Sequence, residues 1–360
     1  MIKYLRLLLL PFSLLYGIVI ILRNMLYDRG FLKSRRFDIP VICVGNLVLG
    51  GSGKSPVTEY LVNLLGTYKI AILSRGYGRE TKGFLYADDQ ATAKTVGDEP
   101  LQFYHKFPEV TVAVCEDRVY GIEKLKGQHD LIILDDAFQH RRVNPGFSIL
   151  LFEFRKLLQP QFVLPAGNMR EPFWGYRRAD LLLVTKAPEH LGAQQKAGCE
   201  EKFSAEAAGK LFFSALSYGE LTGLIRKETV SLDNLKDKTV FLLTGIANPK
   251  PLLDKLYCYT ADIVHHDYPD HHSYSYQNLS KLVEAFSQHP AKEKIIVTTE
   301  KDAQRLFDVT FKELLLDLPV FYLPVKVCID KNHARAFNQK ILNYVSDTAR
   351  NRRLYKEKEQ

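Results

Sequence analysis

No two of the five cysteines in this 360-residue chain form a CxxC pair. Cys43, Cys115, Cys199, Cys258 and Cys328 are widely spaced, and most sit in apolar runs. That excludes a dithiol redox motif or a zinc knuckle and reads as reduced core residues of a cytosolic protein. Internal repeats and low-complexity blocks are also missing, which excludes a solenoid and a disordered scaffold. HHDYPDHH (residues 265–272) concentrates four of the ten histidines, yet its spacing matches no common zinc pattern such as H-E-x-x-H.

What is present is a folded composition with a net charge of +8, from 49 Lys+Arg against 41 Asp+Glu. Such a balance suits an anionic partner: a nucleotide, a phosphorylated substrate, an acidic membrane surface or nucleic acid. The length exceeds what one compact core usually serves, so two domains are expected.

Residues 41–58, VICVGNLVLGGSGKSPVT, carry the most specific signal. A β-branched run ends in a turn with Gly50, Gly51, Ser52 and Gly53, followed by Lys54, Ser55 and an amphipathic segment. Glycines let successive backbone N–H groups converge on phosphate oxygens, and a helix N-terminus adds partial positive charge. Lys54 neutralises β/γ oxygens and the Ser55 hydroxyl ligates Mg²⁺. Val48 stands where the strict G-x-x-x-x-G-K-[ST] pattern has glycine. No second cradle occurs in the chain.

Upstream, residues 7–22 (LLLLPFSLLYGIVIIL) are uncharged and apolar, with Lys3 and Arg6 before them and a run of basic residues from Arg23 to Arg36 after. A cleaved signal peptide, a spanning helix and a helix lying in the membrane interface compete, alongside a buried core helix. No small-residue cleavage site precedes the basic run, which favours membrane association with the basic flank on anionic headgroups and the rest of the chain in the cytosol.

Downstream, SRGYGR (residues 74–79) closes a strand at the sheet edge where α/β folds bind ligands, making Arg75, Tyr77 and Arg79 candidates for substrate contact. Asp98, in a Gly-Asp-Glu-Pro turn before a helix, reads as an N-cap. DLIILDDAFQHRR (residues 130–142) is an apolar strand ending in Asp135 and Asp136. That matches the Walker B requirement for a carboxylate beside the phosphates, and in extended backbone only one of the two points easily at the metal. Gln139, His140, Arg141 and Arg142 follow as a polar cluster, and Arg170, Arg177 and Arg178 lie in a Gly/Pro/Arg loop as phosphate-binding candidates. For the histidine loop, a metal site, a bland polar loop and a general base oriented by a carboxylate all stand open.

The resulting organisation is a membrane-associated helix with its basic flank (residues 1–36), a P-loop domain (37–210), a β connection (211–235), a second α/β domain (236–348) and a charged tail that frays (349–360). LPVFYLPVKV near the C-terminus reads as one strand of the second domain. A P-loop switch or assembly factor hydrolysing ATP or GTP is the alternative reading. The base-reading Asn-Lys-x-Asp of a GTPase has only TEKD (residues 299–302) as its nearest string, without the asparagine. No aromatic stacking motif accompanies the mixed-sign tail, which argues against nucleic acid. No protein partner is inferable.

GNLVLGGSGKSP, LSRGYGR, VGDEP, DDAFQHRR, AGNMREP, TGIANP, YPDHH and TTEKDAQRL occur in this order, and in that the chain resembles the tetraacyldisaccharide 4′-kinases, the lipid A 4′-kinases of Gram-negative bacteria. Family cradles also begin with a non-glycine residue at the position of Val48. The resemblance implies two α/β/α domains, the first P-loop NTPase-like, joined by a small β connection. It implies transfer of the γ-phosphate of MgATP to the 4′-hydroxyl of an acylated glucosamine disaccharide 1-phosphate, at the cytoplasmic face of the inner membrane. Carried onto this sequence, it makes Gly50 to Ser55 the phosphate and Mg²⁺ cradle, and Asp98 with His271 a base dyad, His271 being chosen over its neighbour His272. It gives the metal to Asp135 or Asp136, places Gln139 and His140 beside the phosphates and makes Arg170 a phosphate-binding arginine.

Overall fold

The computed structural model describes residues 6–226 and 228–358, so Lys3 and the last two residues of the charged tail lie outside the described residues. Over these residues the strands form two sheets. In chain order they are β1 (Val41–Asn46), β2 (Ile70–Ser74), β3 (Leu85–Tyr86), β4 (Thr111–Val114), β5 (Leu131–Asp135), β6 (Phe147–Glu153), β7 (Leu181–Thr185), β8 (Leu211–Tyr218), β9 (Leu221–Gly223), β10 (Thr229–Val230), β11 (Thr239–Thr244), β12 (Ile263–Asp267), β13 (Lys294–Thr299), β14 (Val320–Leu323) and β15 (Val325–Ile329). The nine-stranded sheet runs β15-β8-β7-β6-β1-β5-β2-β4-β3 and the six-stranded sheet β10-β9-β14-β13-β11-β12.

Period-two alternation with both faces apolar explains the first sheet. On β1, Val41 and Cys43 enter one core cluster while Ile42 and Val44 enter the cluster on the opposite face. β5 does the same with Ile132 and Leu134 against Leu131 and Ile133. Strands covered on both faces are what a parallel sheet with helices on each side requires. β1 lies centrally, parallel to β5 and β6, so its loop and that of β5 emerge side by side. The second sheet repeats the scheme, with Phe241 and Leu243 facing one cluster and Val240 and Leu242 the other.

Two segments sit differently from the sequence reading. LPVFYLPVKV is two strands: β14 pairs in the second sheet, whereas β15 pairs antiparallel with β8 in the first. Pro324, which lacks a backbone N–H, separates them. The stretch taken as a β connection divides likewise, β8 joining the first sheet and β9 the second. The chain therefore passes twice between the sheets, and Gly219 N donates to Pro324 O at 2.9 Å where the two passages run together. The helix after β15 also belongs to the first sheet, since Phe337, Ile341 and Val345 are buried in its core. This helix continues to Lys358, through most of the tail expected to fray.

The helices that matter for the site are α1 (Leu10–Asp28), α2 (Lys54–Leu64), α3 (Asp98–Lys106), α4 (Arg118–Leu125), α5 (Tyr276–Gln288), α6 (Glu300–Leu306) and α7 (Ala334–Lys358). Pro11 falls in the first turn of α1, where a missing N–H leaves no bond unmade. This helix is not a buried core helix: Leu14 is 70% and Ile18 54% exposed, and only Ser13 and Gly17 are buried along it. It is the one helix among the described residues long and apolar enough to cross a membrane.

Candidate active site

The cradle loop is fixed by its own backbone demands and by β7. Gly50 and Gly53 have φ of +94° and +80°, a region open to glycine and strained for other residues. Asn46 Nδ2 donates to Ser52 Oγ at 2.6 Å and Thr185 Oγ1 to Ser52 O at 2.8 Å, while Lys186 Nζ holds Gly51 O. Gly53 caps α2, so Lys54 and Ser55 open that helix. Val48 bridges Met169 in an antiparallel β-contact, and its side chain is buried. Extended backbone and a pocket for the side chain explain why this position does not need glycine. The same pairing, with Arg170 N donating to Leu47 O at 2.7 Å, carries Arg170 to the cradle.

Asp135 ends β5 fully buried, and Asp136 follows with φ +48°. Because Asp136 has left the extended region, the two carboxylates do not simply alternate, as strand geometry alone would have it. Both feel the charge of Lys54, whose Nζ is 3.7 Å from Asp136 Oδ2. Arg170 grips Asp136 with two guanidinium nitrogens, at 2.7 and 3.0 Å. Burial works to raise the Asp136 carboxyl, but Lys54 and Arg170 outweigh it and hold it below the usual carboxylate range. Asp135 goes the other way: burial, with Glu99 and Asp136 adding to it, raises its pKa. Ser74 Oγ lies 3.4 Å from Asp135 Oδ2, and Oδ1 is a buried oxygen without a hydrogen-bond partner. An orphaned carboxylate oxygen beside a serine-bearing cradle fits a hard divalent cation. Among the described residues no group of three or more His, Cys, Asp or Glu side chains forms a metal cage. Mg²⁺ needs none, since it takes one or two carboxylates and completes its shell with phosphate and water oxygens.

Gln139 Nε2 donates to Asn46 O at 2.8 Å and to Glu171 Oε1 at 2.9 Å, and its Oε1 faces Arg170 at 3.3 Å. Glu171, fully buried, also accepts from Arg178 at 2.8 Å and from Asn24 of α1 at 3.2 Å. Replacing Glu171 by alanine leaves Arg178 without its carboxylate and Gln139 with Asn46 O alone. We expect a loss of about 3 kcal/mol, of the size seen when one partner of a buried pair is removed, visible as a lower urea midpoint. Burial and the nearby Arg118 push the His140 imidazole down to about 4, so it is neutral at working pH.

The second sheet supplies the rest. Asp98 does not act as an N-cap; Gly97 caps α3, and Asp98 is the first helical residue with no side-chain bond to the helix backbone. Its buried carboxylate turns away from the helix backbone, accepting from Arg305 Nε at 3.1 Å and NH2 at 2.5 Å and standing 3.0 Å from His271 Nδ1. Burial would raise the Asp98 carboxyl, but hydrogen bonds from His271 and Arg305 outweigh it and hold it at about 2. His271 sits at φ +60° and donates its backbone N–H to Gly245 O. Its neighbour His272 stacks on Tyr268 and reaches Asn278 of α5 instead. Arg305 is itself fixed by Asp302 Oδ1 at 2.8 Å, and Asp302 by Gly245 N and Thr299 Oγ1.

Among the substrate candidates, Tyr77 is 70% exposed with its ring 5.1 Å from that of His271, and Arg75 is exposed. The Arg79 side chain folds back onto Gly83 O and Glu116 and is only 3% exposed. Sequence reasoning passed over Arg305, Lys301, Glu99 and Glu171. Lys301, Asp302 and Arg305 all lie in TTEKDAQRL, where charges at i, i+1 and i+4 of one helix were the available signal.

The tetraacyldisaccharide-1-P 4′-kinase (LpxK) family model matches residues 5–345. A tetraacyldisaccharide 4′-kinase of Bacteroides thetaiotaomicron is 40% identical, over 95% of this chain and 93% of its own length. One from Flavobacterium johnsoniae is 41% identical over 95% and 98%. The crystal structure of Aquifex aeolicus LpxK in complex with ATP superposes with a TM-score of 0.74 at 33% identity, covering 95% of this chain and 99% of that one.

Proposed function

The chain belongs to the tetraacyldisaccharide-1-P 4′-kinase family, and from that premise we propose that it transfers the γ-phosphoryl group of ATP to the 4′-hydroxyl of an acylated glucosamine disaccharide 1-phosphate, a lipid A precursor. One observation carries the reading beyond the nucleotide: the imidazole of His271, held against Asp98 by a network from the other sheet. A cradle alone serves a hydrolytic switch as well as a kinase. A carboxylate-oriented imidazole is what activation of an acceptor hydroxyl adds.

In the transfer, Gly50 to Ser55 bind the phosphates, and Lys54 and Arg170 neutralise charge as it spreads over the moving phosphoryl group. Ser55 and the Asp135–Asp136 pair would hold Mg²⁺, which would offset the charge of the phosphates. Asp98 keeps the Nδ1–H tautomer, leaving Nε2 of His271 to take the hydroxyl proton. The new O–P bond forms as the bond to the β-phosphate breaks, and ADP leaves. Radiolabel from γ-labelled ATP should appear in purified lipid disaccharide phosphate. Label recovered only as inorganic phosphate with acceptor present would sink the reading in favour of a switch.

Such an acceptor carries its acyl chains in a bilayer, and α1 supplies the means of meeting it there. Its exposed apolar side chains enter the leaflet at the cytoplasmic face of the inner membrane, and the arginines from 23 to 36 face anionic headgroups. α1 is tied to the nucleotide side by Tyr16 OH to Arg170 O at 2.7 Å and by Asn24 to Glu171. Changing Leu14 and Ile18 to glutamine should reduce sedimentation with anionic vesicles without lowering Tm, because both side chains are already exposed.

A further inference from the structure

The transfer chemistry leaves two charged neighbours of the dyad without a role: Asp270, whose Oδ1 is 3.9 Å from His271 Nε2, and the nearer Lys301. Lys301 Nζ lies 3.1 Å from His271 Nε2, the nitrogen that must take the acceptor's proton, and 3.7 Å from Glu99 Oε1. An ammonium has three donors and no lone pair, so this contact exists only with a lone pair on Nε2. On the other side of the ring, the ionised Asp98 can only accept, which puts the ring proton on Nδ1. The two contacts therefore select the same tautomer. The lysine contact also blocks it, because Nε2 has a single lone pair and cannot accept from a hydroxyl while the ammonium holds it. Nor does the local fold favour a cation here. Lys301 is the second residue of α6, after the Thr299 cap and Glu300, and the first turn of a helix disfavours positive charge. Its partners, Glu99 of α3 on the first sheet's side and the imidazole on its own side, account for its placement.

We propose that Lys301 is a positioning residue that caps the base until the acceptor arrives. The incoming hydroxyl displaces the ammonium from Nε2, the ammonium moves onto Glu99, and the freed lone pair takes the hydroxyl proton. The balance is simple: the acceptor O–H breaks and N–H forms on His271, the O–P bond forms as the bond to ADP breaks, and Lys301 keeps all three of its protons. Water, which has no sugar or acyl contacts to help it displace the ammonium, is kept from the base, so ATP is not hydrolysed in the absence of acceptor. This rests on His271 being the base of the proposed transfer.

The test compares acceptor-free ATP hydrolysis with transfer to the lipid disaccharide phosphate in the full chain and its variants. Lys301→Met should raise acceptor-free hydrolysis about tenfold, a part of what a free general base supplies, and lower KM for the acceptor more than it changes kcat. Lys301→Arg, which keeps charge and donors, should restore the wild-type ratio of hydrolysis to transfer. Combining Lys301→Met with His271→Ala should abolish the gain. Acceptor-free hydrolysis at the wild-type rate in Lys301→Met overturns the cap, as does a gain that survives in the double variant. Unchanged transfer in His271→Ala alone would instead withdraw the base assignment and the cap with it, so the two failures are read from different variants.

Discussion

Replacing His271 by alanine should lower phosphoryl transfer by about 10²- to 10⁴-fold, the range general-base assistance supplies, with ATP binding intact. The reasoning is geometric. The cradle, Lys54, Arg170 and the Asp135–Asp136 pair are built on β1, β5 and the loop at 163–171, none of which His271 touches. Its loss therefore removes proton acceptance and one hydrogen bond to Asp98, and leaves the cradle in place. Asp98→Ala should cost a similar factor in rate but also stability, because the buried Arg305 loses two bonds to that carboxylate. The sign of the pH effect follows. The Asp98 pKa is depressed on folding, from an ordinary 3.8 to about 2. Its contribution, about 2 kcal/mol by linkage, is present above pH 3.8 and lost as pH falls through about 2. Urea midpoints at neutral pH should thus fall most for Asp98→Ala and less for His271→Ala, which removes only one of the hydrogen bonds to that carboxylate. A His271→Ala enzyme transferring phosphate at the wild-type rate would exclude the base.

Which parts of this site were legible in the residue order depends on how local the constraint is. The cradle was legible because positive φ at Gly50 and Gly53 and the start of α2 at Lys54 are demands within a dozen residues. The departure at Val48 was visible, but its reason, a β-bridge to Met169, was not. Asp98 shows the limit most clearly. A carboxylate opening a helix after glycine reads as a cap from local rules, and its partners His271 and Arg305 lie 173 and 207 residues away. The family resemblance supplied the histidine, whereas only the charge spacing within TTEKDAQRL marked Arg305 and Lys301. In the fold, apolar periodicity identified strands on both sheets without saying which sheet β8 or β15 joins. An edge strand of either sheet has the same pattern, and only Pro324 marked the break.

Lys54→Met should reduce ATP turnover about 10²- to 10³-fold, the usual cost of removing one preorganised charge from a phosphoryl-transfer site. The effect has two sources that can be separated. Lys54 is 9% exposed and lies between the cradle and the carboxylates of the buried Asp135 and the half-buried Asp136, so its loss both removes the cation proposed for the phosphates and leaves the two aspartates less well compensated. Arg170 continues to pair with Asp136 through two bonds, which limits the damage to the folded state. The rate should therefore fall far more than stability. Lys54→Arg tests the geometry, since a guanidinium keeps the charge but exchanges a compact ammonium for a planar fork at the opening of α2. It should recover nucleotide affinity better than kcat. Wild-type turnover in Lys54→Met would remove the cradle from the mechanism, and with it the assignment of the first sheet as the ATP side of the site.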